Sequence, residues 1–157
     1  MIRAIIAADT NNGIGKNGTL PWPHNTADLK WFKNCTNNSV VVMGRHTWED
    51  PKMPKPLPNR YNVVVSNSYI PAGPNLIIRR EDNIKVILSS FAEDVWIIGG
   101  AKLINNTKHL CKEIWVSRIK GDYKCDTFVN LSGFTLAGTD LKSNGLIIER
   151  YKNEAVS

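Results

Sequence analysis

The 157-residue sequence has no long apolar run, no internal repeat and no low-complexity tract. Its apolar segments are much shorter than the roughly 20 residues that a transmembrane helix needs, so we expect no membrane span. The apolar start, MIRAIIAA, contains Arg3 and runs directly into Asp9, which favours a first strand over a signal peptide. We therefore expect a single soluble domain over residues 1–157, located in the cytoplasm.

Cysteine is scarce, with Cys35, Cys111 and Cys125 as the complete set. The number is odd and the spacing is not that of a metal site, with His109 and Asp126 as the nearby residues able to act as ligands. We therefore expect free structural thiols in a reducing compartment and no bound metal.

Clustered positive charge is also missing, although 20 Lys and Arg against 14 Asp and Glu give a net charge of +6. No run of five or more basic residues occurs, whereas nucleic-acid-binding proteins concentrate such residues in patches. Dispersed positive charge suits a small polyanionic ligand, and we expect no nucleic-acid partner. A non-catalytic, basic, polyanion-binding protein stays open as an alternative at this point.

The apolar segments predict a sheet that is covered on both faces. Strand-like runs, mostly continuous and β-branched, cover residues 2–8, 39–43, 61–66, 75–78, 94–98 and 113–119. Helical candidates lie between them at residues 26–36, 45–50, 84–91 and 101–108. After residue 119, FTLAGT and LIIERYK are typical of a closing antiparallel pair. The alternation of strands and helices predicts an α/β fold with a largely parallel sheet.

An acid lies on the apolar side of the first predicted helix. Helical spacing places Asp28 on the same arc as Trp31, Phe32 and Cys35. If Asn25 is the N-cap, Asp28 is the third helical residue, where a carboxylate can bond back to the cap and interact with the helix dipole. In the alternative interpretation Asp28 is a buried acid, which is costly unless a ligand or another group pairs with it.

Two strand ends are followed by glycine and then by a helix start, in VVVMGRHTW and VWIIGGAKL. Glycine allows close approach of a ligand to the backbone, and a helix start offers free N–H groups, a combination that binds phosphate. Neither turn matches the G-x-G-x-x-G or P-loop pattern, which disfavours a standard Rossmann or P-loop domain. Candidate anion-binding side chains are Arg45, His46, Lys102 and Arg60, although most surface Lys and Arg residues are simply solvated.

A long loop, residues 9–22, joins the first strand to the helix of Asp28 and contains Gly13, Gly15 and Gly18. Loops of this length inside compact domains often cover a binding site. We expect three apolar side chains to anchor it: Ile14, Leu20 and Trp22.

Taken in order, these segments closely resemble the dihydrofolate reductase family. The matching pieces are IIAADTNNGIGKNGTLPW, ADLKWFK, VVMGRHTWE, PLPNR, VVVS, IIGGAKL and Asp126-Thr127-Phe128, which cover about residues 1–130 with family spacing. The resemblance implies a mixed, mostly parallel eight-stranded sheet flanked by helices, with antiparallel C-terminal strands. It also implies reduction of 7,8-dihydrofolate to tetrahydrofolate with NADPH. We expect a monomer, since no long apolar surface pattern is left unassigned.

The resemblance implies roles on the substrate side. Asp28 matches the active-site acid, whose partner is the 2-amino group and N3 of the pterin. Trp22 matches the tryptophan that holds an ordered water near the acid, and Leu20 the mobile-loop residue over the nicotinamide. Arg60 matches the arginine that binds the glutamate α-carboxylate. The other implied substrate contacts are Ile5, Ala7, Leu29, Phe32, Leu57, Ile98 and Ser117.

The resemblance also implies a cofactor set in which Arg45 contacts the 2′-phosphate of NADPH. That set is Ala7, Ile14, Gly15, Gly44, Arg45, His46, Thr47, Ser66, Asn67, Ser68, Gly99, Gly100, Ala101, Lys102, Leu103 and Asp126.

Some positions depart from the family pattern. Ile104 stands where many members carry tyrosine, Ser117 replaces the usual threonine, and SNS at 66–68 differs from the common serine pair. The nearest alternative enzyme is a pyrimidine reductase of riboflavin synthesis, which shares the fold. It lacks the acid-bearing helix and has no use for Arg60.

Overall fold

The computed structural model describes residues 1–17, 20–23, 25–71 and 73–155. Its strands are β1 Ile2–Ala8, β2 Gly13–Gly15, β3 Val40–Gly44, β4 Tyr61–Val65, β5 Leu76–Ile78, β6 Val95–Gly99, β7 Glu113–Arg118, β8 Thr127–Phe128, β9 Phe134–Leu141 and β10 Ile147–Asn153. Its helices are α1 Thr26–Thr36, α2 Arg45–Glu49, α3 Ile84–Ser89 and α4 Ala101–Thr107, and a 3-10 turn spans Lys108–Leu110.

Eight strands form one sheet in the order β5-β4-β3-β6-β1-β7-β10-β9. The pairings from β5 through to β7 are parallel, whereas β10 pairs antiparallel with both β7 and β9. This confirms the predicted mixed, mostly parallel sheet with an antiparallel C-terminal part. The first strand in the sequence therefore lies inside the sheet, between β6 and β7.

The predicted elements all occur, with ends that differ by one or two residues. The strand predicted at 39–43 runs from Val40 to Gly44, and the helix predicted at 84–91 ends at Ser89. Phe91 lies beyond that helix but still packs against the core. Continuous β-branched runs identified the strands correctly because these strands are covered on both faces.

Apolar side chains cover both faces of the sheet. One face packs against α3 and α4 through a core cluster whose fully buried members include Ile97, Ile104 and Ile114. The other face packs against α1 through a second cluster that contains Ile5 and Trp96, with Trp31 of α1 partly buried against it. No helix within the described ranges is long and apolar enough to cross a membrane.

A second, two-stranded sheet was not predicted. In it, β2 pairs antiparallel with β8, with Gly13 opposite Phe128 and Gly15 opposite Thr127. The two strands have three and two residues, too few to show an alternating pattern in the sequence. This small sheet fixes the first part of the long loop against the segment that follows β7.

Candidate functional site

One end of the sheet face beneath α1 is lined by side chains from neighbouring strands. Ala7 of β1 pairs with Ser117 of β7, two positions beyond the pair Ile5 and Trp115. Because side chains two residues apart in a strand point to the same face, these four lie together. They face the cluster to which α1 contributes Phe32. We call the face bounded by these strand residues and by Asp28 and Phe32 of α1 the groove.

Asp28 lies in the first turn of α1, at the edge of this groove. Its main-chain N–H donates to Oδ1 of Asn25 at 3.0 Å, which confirms Asn25 as the N-cap. The carboxyl group is half-buried, and burial raises its pKa above the ordinary aspartate value. Both interpretations of Asp28 therefore hold in part, since it is a first-turn residue and also an acid held in an apolar setting.

Ser117 of β7 carries a hydroxyl group that interacts with this acid. The Ser117 hydroxyl faces the Asp28 carboxyl closely enough to lower its pKa, which offsets part of the effect of burial. Ser117 is 1% exposed, and its Oγ makes no hydrogen bond of ordinary length and angle with any described residue. The acid and the hydroxyl are thus a polar pair that a ligand can complete, since buried polar groups are normally satisfied.

Arg60 lies on the loop that precedes β4, where Leu57 is buried. Its Nε donates to the Pro58 main-chain oxygen at 3.0 Å, and its Cζ lies 5.9 Å from the centre of the Phe32 ring. Partial burial lowers the pKa of the guanidinium, which stays charged at neutral pH. The side chain thus lies on the Phe32 side of the loop, with its terminal nitrogens available for a carboxylate.

The remaining substrate-side residues of the sequence prediction differ in exposure. Ile5 is buried, Ala7 and Ile98 are half-buried, and Leu29 is 46% exposed. The exposure of Leu29 means that a ligand, and not the rest of the chain, would have to cover it.

The two glycine turns lie next to each other because β3 and β6 are neighbours in the sheet. A Cβ built on Gly44 would lie 3.9 Å from both Gly100 N and Gly99 O. Gly99 has φ +146°, which favours glycine, and a Cβ there would lie 3.4 Å from Thr47 Oγ1. The Gly99–Gly100 peptide bond is cis. The gap between these turns is thus bounded by glycine backbone and by Thr47 Oγ1.

Polar and charged groups surround this gap. Arg45 is half-exposed and forms an ion pair with Glu49 at 3.2 Å, while His46 and Lys102 are exposed. Ala101 and Leu103 are half-buried at the start of α4. The glycine backbone N–H groups and the side chains of Arg45, His46 and Lys102 form a donor set suited to phosphate groups.

The turn at residues 66–68, after β4, contacts Arg79 and Arg80, which the sequence prediction did not include. Ser68 N donates to Ser66 Oγ at 3.0 Å, and the Asn67 side chain accepts from Arg80 N at 2.6 Å. Arg79 donates to Ser68 O at 2.9 Å. The cavity here, of about 370 Å³, is lined by Asn67, Arg79, Arg80 and Glu81. The doublet in IIRRED, at the end of β5, was the available signal.

The long loop has two apolar anchors, Ile14, which packs against the core, and Trp22, which is 8% exposed. The Trp22 ring meets Tyr123 edge-on, with ring centres 5.7 Å apart. Leu20 is 46% exposed, so its predicted role as a third buried anchor is wrong. Gly18 lies outside the described residues.

Two further predicted residues have clear structural partners. Asp126, assigned to the cofactor by resemblance, accepts from Asn17 N at 2.9 Å, and its own N–H donates to Gly15 O at 3.0 Å. Ile104 is fully buried in the core cluster of α3 and α4. At this position, where many family members carry tyrosine, the isoleucine side chain therefore packs in the core.

Comparison with known proteins agrees with this geometry. The family model for dihydrofolate reductase matches residues 1–139. A viral dihydrofolate reductase from Saimiriine herpesvirus 2 (strain 488) is 36% identical over 95% of this chain and 74% of the relative. The dihydrofolate reductase of Rattus norvegicus is 34% identical over 81% of this chain and 77% of its own length.

A solved structure of a member of this family has the same fold. Dihydrofolate reductase from Enterococcus faecalis, complexed with NADP(H) and RAB-propyl, superposes with a TM-score of 0.79. The two sequences are 28% identical, and the match covers 97% of this chain and 95% of that one. With the acid, the arginine loop and the paired glycine turns already located, these matches show that the chain belongs to the dihydrofolate reductase family.

Proposed function

We propose that the protein reduces 7,8-dihydrofolate to 5,6,7,8-tetrahydrofolate, using NADPH, with a hydride added at pterin C6 and a proton at N5. The observation that carries this proposal is the half-buried Asp28, whose pKa is raised, on the same helix as Phe32, whose ring centre lies 5.9 Å from Arg60 Cζ. A pterin with an aminobenzoyl-glutamate tail has complementary groups, since it is polar at one end and anionic at the other.

Asp28 would hold the 2-amino group and N3 of the pterin. A carboxyl group with a raised pKa carries its proton to higher pH, so it favours protonation of the bound ring whether or not it donates directly. The Ser117 hydroxyl, which is buried and lacks a hydrogen bond among the described residues, is available to either the acid or the pterin.

Apolar residues would position the rest of the substrate. Ile5, Phe32 and Leu57 belong to one apolar cluster, so a flat ring entering the groove meets side chains already packed. Arg60 would bind the glutamate α-carboxylate bidentately, because a guanidinium presents two parallel N–H donors. The position of the substrate would thus be fixed at both ends.

The residues at the glycine turns fit NADPH. The gap between Gly44 and the pair Gly99 and Gly100 is one that a Cβ would enter, so backbone can lie against a pyrophosphate. Arg45 is expected near the 2′-phosphate, and the cavity of Asn67, Arg79 and Arg80 follows β4 and β5, the next strands of the sheet. NADPH, when bound, supplies the hydride. The chain's contribution is to orient both ligands and to exclude water with the long loop.

We further infer a monomeric, single-domain enzyme of the cytoplasm that does not bind nucleic acid. The support is the dispersed positive charge, which suits two small polyanionic ligands. Light scattering after size exclusion measures the mass, and an increase to twice 17.6 kDa would contradict the monomer.

The test of the reaction is the loss of NADPH absorbance when purified protein is mixed with NADPH and dihydrofolate. We expect rapid, dihydrofolate-dependent loss, much slower loss with NADH, and a strong reduction in Asp28→Asn. A folded sample that binds NADPH without oxidising it would contradict the proposal. That result would favour the pyrimidine reductase or a non-catalytic relative.

A further inference from the structure

Asn62 of β4 is a buried polar residue with 0% exposure and no part in the mechanism above. Its side chain faces the loop that carries Leu57 and Arg60. Oδ1 accepts from Leu57 N at 2.9 Å, while Nδ2 donates to Leu57 O and to Arg60 O, both at 3.0 Å. One amide therefore holds the last part of the loop at two points, Leu57 and Arg60.

The main chain of Asn62 is fixed independently of this loop. Its N–H donates to Asn75 Oδ1 at 2.7 Å, its C=O accepts from Asn75 N at 2.9 Å, and it pairs with Val41 of β3. The amide thus projects from a rigid strand of the sheet. The loop needs such a support because Asn59 adopts a left-handed conformation with φ +60°, which a flexible chain rarely keeps.

The direction of the Arg60 guanidinium depends on the path of this loop. Arg60 Nε donates to Pro58 O, a main-chain atom between the two residues that Asn62 binds. Leu57, at the other end, packs in the cluster of Phe32 and Ile5. If the loop moved, the arginine and the pocket wall would both move with it.

We propose that Asn62 is the positioning residue that sets the affinity of the groove for the carboxylate-bearing end of the substrate. The inference rests on the proposed function, since it acts through Arg60 and Leu57. Among polar side chains of this length, asparagine offers one acceptor and two donors, which match an N–H and two carbonyl oxygens. Aspartate has nearly the same shape but would place negative charge against both carbonyls.

The experiment is steady-state kinetics of Asn62→Asp with dihydrofolate and saturating NADPH. We expect the KM for dihydrofolate to rise about tenfold, because a displaced guanidinium loses its aligned carboxylate. We expect kcat to stay within about twofold, since Asp28 and the glycine turns lie on other elements. The dissociation constant for NADPH, measured by fluorescence titration, should not change.

A double-mutant cycle separates positioning from a general loss of structure. In an Arg60→Leu background the guanidinium is gone, so Asn62→Asp should raise KM by less than about threefold further. Asn75→Ala is the matched control, because it removes a hydrogen bond to the main chain of Asn62 and leaves the side chain of Asn62 in place. It should lower thermal stability without changing KM.

The inference is overturned if Asn62→Asp raises KM equally in both backgrounds, or lowers kcat while KM stays constant. If Asn62→Asp does not fold, Asn62→Thr serves as the second variant. Threonine suits a strand and keeps a hydroxyl, so it should fold and raise KM in the same way. A folded Asn62→Thr with unchanged KM also overturns the inference. An inactive wild-type protein would instead contradict the proposed function itself.

Discussion

The carboxylate of Asp126 accepts a hydrogen bond from the main-chain N–H of Asn17 at 2.9 Å, although 109 positions separate them in the sequence. The N–H of Asp126 in turn donates to Gly15 O. Together with the pairing of β2 and β8, these bonds hold the long loop against the segment after β7. The loop that we propose to exclude water is thus tied down at a point outside the groove.

Replacing Asp126 with alanine should slow hydride transfer about fivefold. The substitution removes the carboxylate that accepts the hydrogen bond from Asn17. Such a bond at an exposed site stabilises the loop in this position by roughly 1 kcal/mol. The measurement is single-turnover stopped flow with NADPH bound in advance. Asp140→Ala is the control, because Asp140 is a half-exposed acid that pairs with Arg150 between β9 and β10 and not with the long loop. Equal rates in the two variants would contradict this role for Asp126.

Asp28→Asn should lower kcat at neutral pH by about a hundredfold or more and leave NADPH affinity unchanged. Burial raises the pKa of Asp28, so the protonated form persists to higher pH and wild-type kcat falls as pH rises through that pKa. The variant should lose this pH dependence. A pH series of kcat checks it, and a variant with the wild-type profile would remove Asp28 from the proton step.

The same substitution should make the protein more stable at pH 7. A carboxyl group whose folded pKa is raised contributes stability below its unfolded pKa, and loses it as pH rises through the folded pKa. At pH 7 the buried charge is therefore a cost that asparagine removes. We expect a Tm higher by about 2–4 °C, which corresponds to about 1 kcal/mol in a chain of this size. Below about pH 4 the difference should disappear.

Asp9→Asn should destabilise the protein in a pH-dependent way. Burial raises the pKa of Asp9, but hydrogen bonds from the N–H groups of Tyr123, Gly13 and Asn11 and from the Cys125 thiol outweigh it and leave the pKa below its usual value. Stability from such a carboxylate is present above the unfolded pKa and lost as pH falls through the folded pKa.

We therefore expect Asp9→Asn to lower the free energy of unfolding by about 1–3 kcal/mol at pH 7. The loss should shrink steadily between about pH 4 and pH 2 as the wild-type carboxylate becomes protonated. Urea unfolding at several pH values measures it. A difference between wild type and variant that does not change with pH would show that Asp9 acts through its shape and not through its charge.

Gly44→Ala should weaken NADPH binding about tenfold without affecting folding. The new Cβ would lie 3.9 Å from Gly100 N and Gly99 O, an ordinary contact distance, and the backbone of Gly44 has φ −78°, which alanine accepts. The methyl group would nevertheless occupy the gap between the turns. Fluorescence titration with NADPH and thermal unfolding together check this, and an unchanged affinity would place the pyrophosphate elsewhere.

The sequence predicted the sheet well because its buried strands are continuous apolar runs, and it predicted α1 because Asn25 is a strong cap. It could not predict the partners of Asp126 or Asn62. Both residues are polar, and their hydrogen bonds depend on which segments the fold brings together. Local patterns carry no information on contacts between Asn17 and Asp126. The small sheet of β2 and β8 was missed because strands of three and two residues are too short to show a pattern.

Solvent exposure of side chains was the other property that the spacing of residues in the sequence could not predict. Leu20 and Leu29 are apolar residues at positions where an anchor and a pocket wall were expected, yet each is 46% exposed. A sequence pattern gives the direction of a side chain relative to its neighbours, whereas exposure depends on what else covers it. At a ligand site the covering group is not part of the chain.

The place of β1 inside the sheet has a consequence for synthesis of the protein. Its partners are β6, where Ile2 meets Val95, and β7, where Arg3 meets Glu113. A nascent chain therefore carries an apolar strand with neither neighbour until β6, which begins at Val95, has been translated. Sheets closed by such distant pairings form slowly, and unpaired strands promote aggregation. Protection of β1 by a chaperone during translation would therefore raise the yield of folded protein.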